Sequence, residues 1–595
     1  MKIKILLSIF FIVWIGLIVR IFNLAIQSNE YYGDLSQKNS IKSEFTPPVR
    51  GEILDRNNEP LAINELGFKI SLAPHLTKGK NSEKLDTEIE YLLSILPSLD
   101  SEKMIKNYKR EDSYYNHSYI DVVDFIPHDN IIPLLPIMNL RGTIKVSPSP
   151  KRLYPYGKTA SHVIGYVAKA NQQEINENPI LQLIGYAGKN GIEKYYNNYL
   201  QGEAGERKIK VNAHNLEIEE IGKTTTKENK NIVLNIDIRL QSFIAEIFAK
   251  RVGSVVVMDK YGAIYALGSY PEYNINSFAS GISSDEWNEL INNIDGPFTN
   301  KAINGLYPPG SVVKTNIGLI FATSNKLNVH SSVNCTGSFK LGDRNFRCWK
   351  HSGHGKVDLA KAITRSCDDY FYKGSLDVGI DKLSEGLKRM GYGQKTGIDL
   401  PNEFIGTVPN RTWKREKFNK PWFQGETLNT SIGQGDFLVT PLQIAQQTAL
   451  MATGKLPIPH IAKRIDDSPY TPVPVDVLTP SELSILPVVQ KAMKAVCNSE
   501  GGTAKPYVYT RFPIAGKTGT AQTTGIAQHV IVRQKEHSMD YFKRSHAWMS
   551  SYGPADDAQF IVVVMVEHGG HGGDATGGII SQIYNKLDDL GYIKR

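Results

Sequence analysis

The run from Ile5 to Ile26 constrains this chain more than any other stretch, because it is apolar apart from Ser8, Arg20 and Asn23. About 22 helical residues rise roughly 33 Å, close to the thickness of one bilayer hydrocarbon core. The run is therefore read as a single transmembrane anchor. Lys2 and Lys4 precede it, whereas Glu30 and Asp34 follow it. Positive charge stays on the cytoplasmic side, so residues 1–4 are expected in the cytoplasm and everything after about residue 27 outside it. A cleaved signal peptide has a shorter apolar core and a small-x-small site, which Leu24-Ala25-Ile26-Gln27 does not supply. A buried core helix would not begin at residue 5 behind paired lysines.

Beyond the anchor the texture changes once. Residues 27–230 are rich in Lys, Asn, Glu and Tyr, with short β-like runs such as Phe68-Lys-Ile-Ser-Leu-Ala73 between polar stretches. That pattern predicts an extended mixed α/β pedestal. Gly202-Glu-Ala-Gly205 reads as a turn into a strand over Arg207–Asn212, and Lys223–Lys230 reads as a linker. From residue 231 to 595, Ile238–Val252 has helical periodicity, and Ser254–Met258 with Ala263–Leu267 flank Tyr261-Gly262 as an antiparallel hairpin. Phe512–Gln522, His546–Tyr552 and Phe560–Val566 read as three further strands near the other end. Strands at both ends of a helical middle imply an α+β domain: one antiparallel sheet with its helices inserted between the second and third strands. The net charge of +8 is spread over the chain without one dominant basic block. It gives no nucleic-acid footprint and suits a membrane surface or an anionic wall polymer.

Tyr307-Pro-Pro-Gly-Ser-Val-Val-Lys314 ends a loop and starts a helix whose apolar side is Val313, Ile317 and Ile320. Ser311 and Lys314 are three apart, so on a helix they face the same way, about 5–6 Å between Cβ atoms. A nucleophile and its base need that geometry. Lysine accepts the serine proton only when neutral, a state favoured by partial burial and a second nearby cation. Two more elements follow in order: Ser366-Cys367-Asp368, and Lys517-Thr518-Gly519-Thr520 behind the apolar run Phe512–Ala515. Ser-x-x-Lys, Ser-Asp-Asn and Lys-Thr-Gly in this order form the signature of penicillin-binding proteins and class A β-lactamases. A second Lys-Thr-Gly, at Lys395–Gly397, follows Gly391-Tyr-Gly393 and runs into Pro401, a loop context, so the copy at 517 on a predicted strand is assigned to the site.

With these motifs the chain resembles the class B penicillin-binding proteins and, within them, the elongation-type penicillin-binding protein 2 group. The resemblance includes Arg50-Gly-Glu-Ile-Leu-Asp-Arg56, Gly188-Lys-Asn-Gly-Ile-Glu193 and Arg347-Cys-Trp-Lys-His-Ser-Gly-His-Gly355. Pro421–Glu426, Ser431-Ile-Gly-Gln-Gly435 and His568-Gly-Gly570 complete it. It implies a non-catalytic pedestal followed by a transpeptidase domain of the serine β-lactamase type, with no glycosyltransferase domain. It also implies a single-pass protein of the bacterial inner membrane whose catalytic domain is periplasmic. Ser311 is then the acylated nucleophile and Lys314 its base. Ser366 relays a proton toward the leaving amine, and Lys517 and Thr518, with Gly519 and Thr520 beside them, bind the terminal carboxylate. The N–H groups of Ser311 and Thr520 form the oxyanion hole. Asp368, counted with the substrate-binding residues as a contact or spacer, stands where the family more often has asparagine, and a carboxylate there would pair with Lys314 or Lys517, opposing the neutral base.

The implied substrates are peptidoglycan stem pentapeptides, with β-lactams as inhibitors. A chain that cross-links without polymerising implies a RodA-type glycosyltransferase and the elongation machinery as partners. The septal type shares all three motifs, and the insert around Arg347–Gly355 favours elongation. A dedicated β-lactamase needs neither an anchor nor a pedestal, and a non-catalytic β-lactam sensor normally carries several membrane segments.

Only four cysteines occur, yet Cys335, Cys348 and Cys367 fall close together beside His351 and His354. Cys335, Cys348, His354 and Cys367 make a Cys₃His set of the kind that holds structural zinc, although the spacing is looser than a zinc finger's. A disulfide in an oxidising compartment and three buried apolar thiols remain alternatives. His354 is preferred over His351 because Gly353 and Gly355 free its backbone to turn. Since Cys367 lies between Ser366 and Asp368, it points away from the cleft if those two point into it.

Overall fold

The computed structural model describes residues 2–27, 41–46, 48–77, 83–116, 118–211, 217–225, 229–324, 327–525 and 534–594. The N-terminal apolar run is one helix, Lys2–Phe22, extended by a π-helical turn over Asn23–Gln27. Ile3–Ile26 is long and apolar enough to cross a membrane, and its side chains are exposed along its length. Glu30 and Asp34 lie outside the described residues.

The chain separates into two units, one of residues 1–51, 169–186 and 201–230, the other of the remaining residues. Besides the apolar helix, the first unit holds a three-stranded antiparallel sheet of Ile41–Thr46, Gly205–Val211 and Glu217–Thr224. The strand expected from Arg207 onward is thus present, with Asn212 outside the described residues. Lys223 and Thr224 are not linker. They pair with Arg207 and Glu206 across the sheet, while 226–228 lie outside the described residues.

In the second unit, the strand foreseen at Phe68 is Gly67–Leu72, the centre of an antiparallel sheet with Ile120–Pro127 and Ile144–Pro148. Its alternate residues Ile70 and Leu72 pack with Ile89, Leu92 and Tyr108 of two helices in a small core of their own.

The larger core is built on five strands: β1 (Gly253–Asp259), β2 (Ile264–Tyr270), β3 (Ala515–Ala521), β4 (His546–Gly553) and β5 (Phe560–Val566). They lie in the order β2-β1-β5-β4-β3, and every pair is antiparallel. β5 is buried at every position, so helices must cover both faces of the sheet. The terminal helices Ile238–Phe248 and Gly572–Asp589 pack together, and Pro441–Thr453 lies on β1, β4 and β5. Pro441–Thr453 and the other helices from Asn276 to Asn498 enter between β2 and β3, the α+β layout that the strand spacing implies. One consequence matters for chemistry. Among the described residues β3 is an edge strand, and its outer backbone edge is left to face the inserted helices rather than another strand.

Candidate active site

Pro308 and Pro309 cannot supply backbone N–H groups, and Gly310 at φ 56° swings the chain into a 3₁₀ turn, Gly310–Val313, that leads into the helix Lys314–Ala322. Glycine is needed here twice over. The positive φ suits it, and a Cβ would sit 2.9 Å from the Thr520 carbonyl oxygen. Gly310 N–H also donates to the Gly433 carbonyl at 2.8 Å. Ser311 is therefore seated, half-buried, against the outer edge of β3. The helix behind it is not one-sided as its spacing suggested, because all nine of its residues are buried.

One turn on from Ser311, Lys314 is fully enclosed, and its three ammonium donors converge on the second motif. Lys314 Nζ donates to Ser366 O at 3.1 Å, to Ser366 Oγ at 3.4 Å and to Asp368 Oδ1 at 2.6 Å. Ser366 holds a φ of 54°, a left-handed conformation rare for a non-glycine residue and a recognised form of backbone strain at functional sites. Asp368 thus pairs with Lys314 and not with Lys517. Burial pushes the Asp368 carboxyl up, against the opposing pull of Lys314. Its other oxygen accepts the Trp349 backbone N–H at 2.8 Å.

Lys517, on β3, is also fully buried, and its Nζ donates to the Thr518 carbonyl at 2.9 Å. Burial, and then the neighbouring Lys314 charge, hold its pKa well below the ordinary lysine value. Thr518 Oγ1 lies 2.7 Å from Thr503 Oγ1. The Thr520 carbonyl accepts from Gln434 Nε2 at 3.1 Å, and its hydroxyl accepts the Gly572 N–H at 3.1 Å. Ser311, Ser366, Asp368, Thr518, Gly519 and Thr520 all line one cleft of about 1310 Å³, with Lys314 and Lys517 enclosed behind that lining. The structure thus brings together the eight residues singled out in the three motifs. Lys395–Gly397 lies outside that lining, and Thr396 is engaged instead by the Glu403 carboxylate.

Three residues with a place in this arrangement carry no signal in the motifs. Trp349 ties the second motif twice, through its backbone N–H to Asp368 and its Nε1–H to the Arg365 carbonyl at 3.0 Å. Gln434 and Thr503 reach β3 from loops. Trp349 and Gln434 fall inside the stretches Arg347–Gly355 and Ser431–Gly435 that carry the family resemblance, and the Gly501-Gly502 pair is the local hint before Thr503.

The cysteines gather behind the cleft. Cys335, Cys348 and Cys367 are free and buried, as is His354, and the four ligand atoms lie within 4.8 Å of one another. His354 Nδ1 is 3.5 Å from both Cys335 Sγ and Cys348 Sγ. A tetrahedral ion holding sulfur at about 2.3 Å and nitrogen at about 2.0 Å sets a sulfur and a nitrogen about 3.5 Å apart, so the donor set fits zinc in chemistry and the two His354 contacts match it in spacing. The backbone turns at Gly353 (φ 73°) and Gly355 (φ 68°) aim His354 inward, while His351 is exposed on the cleft. Cys367 points into this knot while Ser366 and Asp368 face the cleft, as their alternation requires.

A buried lysine between two serines, beside the free edge of a helix-covered antiparallel sheet, places the chain among the serine acyl-transferases. Residues 253–587 match the family model of the penicillin-binding protein transpeptidase domain, and residues 45–234 match that of the penicillin-binding protein dimerisation domain. The chain is 33% identical over 574 residues to the peptidoglycan D,D-transpeptidase MrdA of Haemophilus influenzae, covering 93% of this chain and 86% of that one. The penicillin-binding protein PBP2 of Helicobacter pylori, solved in complex with MreC, is similar at TM-score 0.85 and 40% identity, covering 93% of this chain and 99% of that one. A third likeness, at TM-score 0.71 and 26% identity over 100% of this chain and 99% of the other, is to a chain from a peptidoglycan synthase complex that coordinates polymerization and crosslinking. The chain belongs to the penicillin-binding protein transpeptidase family.

Proposed function

We propose that this chain is the elongation-type peptidoglycan D,D-transpeptidase of its cell and acts through an acyl-enzyme on Ser311. The observation that carries the reading is the placement of Lys314, one turn from Ser311 and in contact with Ser366 and Asp368 at the cleft. Ser311 Oγ attacks the carbonyl of the penultimate D-Ala and passes its proton to Lys314 Nζ, which hands one of its own to the Asp368 carboxylate 2.6 Å away. The N–H groups of Ser311 and Thr520 hold the oxyanion, a charge that exists only on the way to the acyl-enzyme. Ser366 relays a proton to the departing D-Ala amine. Lys517 and Thr518 bind the terminal carboxylate. An amine of a neighbouring stem then takes the acyl group and frees Ser311. A β-lactam presents the same carbonyl and carboxylate but keeps its leaving group tethered, so it acylates the same serine. Intact-mass and peptide mapping after incubation with benzylpenicillin should give one adduct, on Ser311, absent from Ser311→Ala. An adduct that persists elsewhere in that variant overturns the assignment.

In this reading residues 1–4 are cytoplasmic, 5–26 span the inner membrane, 27–230 form the pedestal and 231–595 the periplasmic transpeptidase domain. A chain that cross-links but does not polymerise needs a polymerase of the RodA type beside it. The similarity to a chain from a polymerising and crosslinking complex supports that partnership. Contact runs through the anchor helix and the pedestal, so exchanging residues 5–26 for an unrelated span should weaken co-purification with the polymerase.

Cys335, Cys348, His354 and Cys367 would hold one Zn²⁺ with no open position, a structural ion that supplies no chemistry to the substrate. Its effect is to fix the Ser366 loop from behind, because Cys367 belongs to that loop and Cys348 adjoins Trp349. Elemental analysis of protein purified without added metal should find about one zinc per chain, lost together with thermal stability in Cys348→Ser. Protein free of zinc, with a Cys335–Cys348 disulfide, rules the ion out.

A further inference from the structure

Thr503 lies on the loop that follows the helix Pro480–Asn498, and its hydroxyl is 2.7 Å from that of Thr518. Both residues line the cleft. We propose that Thr503 is a positioning residue for substrate, setting the Thr518 hydroxyl so that its proton points at the substrate's terminal carboxylate. The proposal rests on the transpeptidase reading of the cleft.

A hydroxyl has one proton to give and two lone pairs to receive. When two threonine hydroxyls share one hydrogen bond, one of them spends its proton on the other, and the partner's proton is left directed elsewhere. A carboxylate in the cleft selects the arrangement in which Thr503 donates to Thr518 and Thr518 donates to the ligand. The first bond polarises the second, so the pair is a stronger and better aimed donor than a lone hydroxyl free to rotate.

The loop is built to hold that position. Gly501, at φ 77°, lies against the guanidinium of Arg365, the residue before Ser366, with a Cβ there 3.4 Å from its nearest nitrogen. Gly502 fits so closely onto the end of the helix that a Cβ would fall 2.4 Å from the Ala495 carbonyl oxygen. Ala504 N–H donates to the Val496 carbonyl at 3.1 Å. Thr503 is thus clamped between the second motif and β3, and its geometry toward Thr518 exists before substrate arrives, as a positioning group requires.

The test uses the full-length protein and two probes, benzylpenicillin and its methyl ester, in which a neutral ester replaces the charged carboxylate. Thr503→Val keeps shape and removes the hydroxyl. It should lower the second-order acylation rate for the acid roughly five- to tenfold, the weight of one hydrogen bond, while leaving the rate for the ester within about twofold. Thr503→Ser should restore the acid rate, and Thr503→Ala gives the same acid-against-ester comparison should the valine variant not fold. Equal loss for acid and ester, no loss for either, or failure of serine to restore the rate overturns the role of Thr503 and leaves the acyl-enzyme reading intact. Absence of any Ser311 adduct in the unaltered protein overturns both.

Discussion

The same tripeptide, Lys-Thr-Gly, occurs twice in this chain, and the two copies share almost nothing but their letters. At 517–519 it forms the middle of β3, with lysine, threonine and glycine all buried and one backbone edge open toward Ser311. At 395–397 it is a loop in which the lysine is exposed, the threonine donates to Glu403 and the glycine takes a φ of 87°. Residue identity is therefore a weak bearer of chemistry. What gives the downstream copy its character is enclosure: an ammonium shut away from water beside a second lysine is held far below its ordinary pKa, whereas the same group in solvent is one more surface charge.

The lysines test this contrast with the largest effect. Lys517→Ala should lower the second-order rate of benzylpenicillin acylation roughly 10²- to 10³-fold, the scale seen when a preorganised polar contact to the reacting group is removed. Lys395→Ala should stay within about twofold of the unaltered protein, since exposed substitutions away from special contacts rarely matter. The opposite pattern in a time course of labelling would mean that the wrong copy has been placed at the site.

The threonines sharpen the contrast, because each variant should fail in a different assay. Thr518→Val should cost about tenfold in acylation and leave the melting temperature nearly unchanged. Thr396→Val should do the reverse, costing about 1.5–3 kcal/mol of stability by removing a donor to the buried Glu403 carboxylate. The sign with pH follows. Burial raises the Glu403 carboxyl above its ordinary value, so the folded state loses stability as pH rises through that folded pKa. Thr396 opposes the shift, and its loss should therefore deepen the deficit at higher pH and shrink it at lower pH. Denaturant titrations at two pH values on either side of the Glu403 transition read this directly, and a deficit independent of pH would count against the Glu403 contact as its source.

Much of this contrast is legible in the amino-acid sequence. The order of Ser311, Lys314, Ser366 and Lys517 marks the site, the β-branched run at Phe560–Val566 marks a strand, and Pro401 closing the upstream copy marks a loop. Local pattern carries that far because period and turn chemistry act between near neighbours. It could not show that Trp349 would meet Asp368 or that Gln434 would reach the Thr520 carbonyl. Those contacts join residues 19 and 86 apart in the chain, and their geometry is set by how helices pack rather than by any spacing within one element. The left-handed turn of Ser366 was hidden for the same reason: its backbone conformation is unfavourable on its own and is held by Lys314 at the Ser366 carbonyl and by Trp349 at the carbonyl of Arg365 before it.

The glycines give the smallest effects and separate backbone conformation from close approach. Gly397→Ala places a Cβ 3.3 Å from the Ile458 Cγ2 methyl, which can give, but forces an L-residue to a φ of 87°. It should cost roughly 1–2 kcal/mol of stability with acylation unchanged. Gly519→Ala meets no such conformational bar on its strand. Its Cβ would instead lie 3.0 Å from the Pro309 carbonyl oxygen, 3.0 Å from Val312 Cγ1 and 3.2 Å from the Trp548 Cβ. Two of those atoms belong to the turn that carries Ser311, so relief of the contact must shift the nucleophile by a few tenths of an ångström. Near-attack geometry tolerates little error, and acylation should fall about fivefold while the melting temperature moves less than for Gly397→Ala. Were Gly519→Ala to lose stability and keep its acylation rate, the turn would be shown to float free of β3, and the close seating of Ser311 on the strand edge would have to be abandoned.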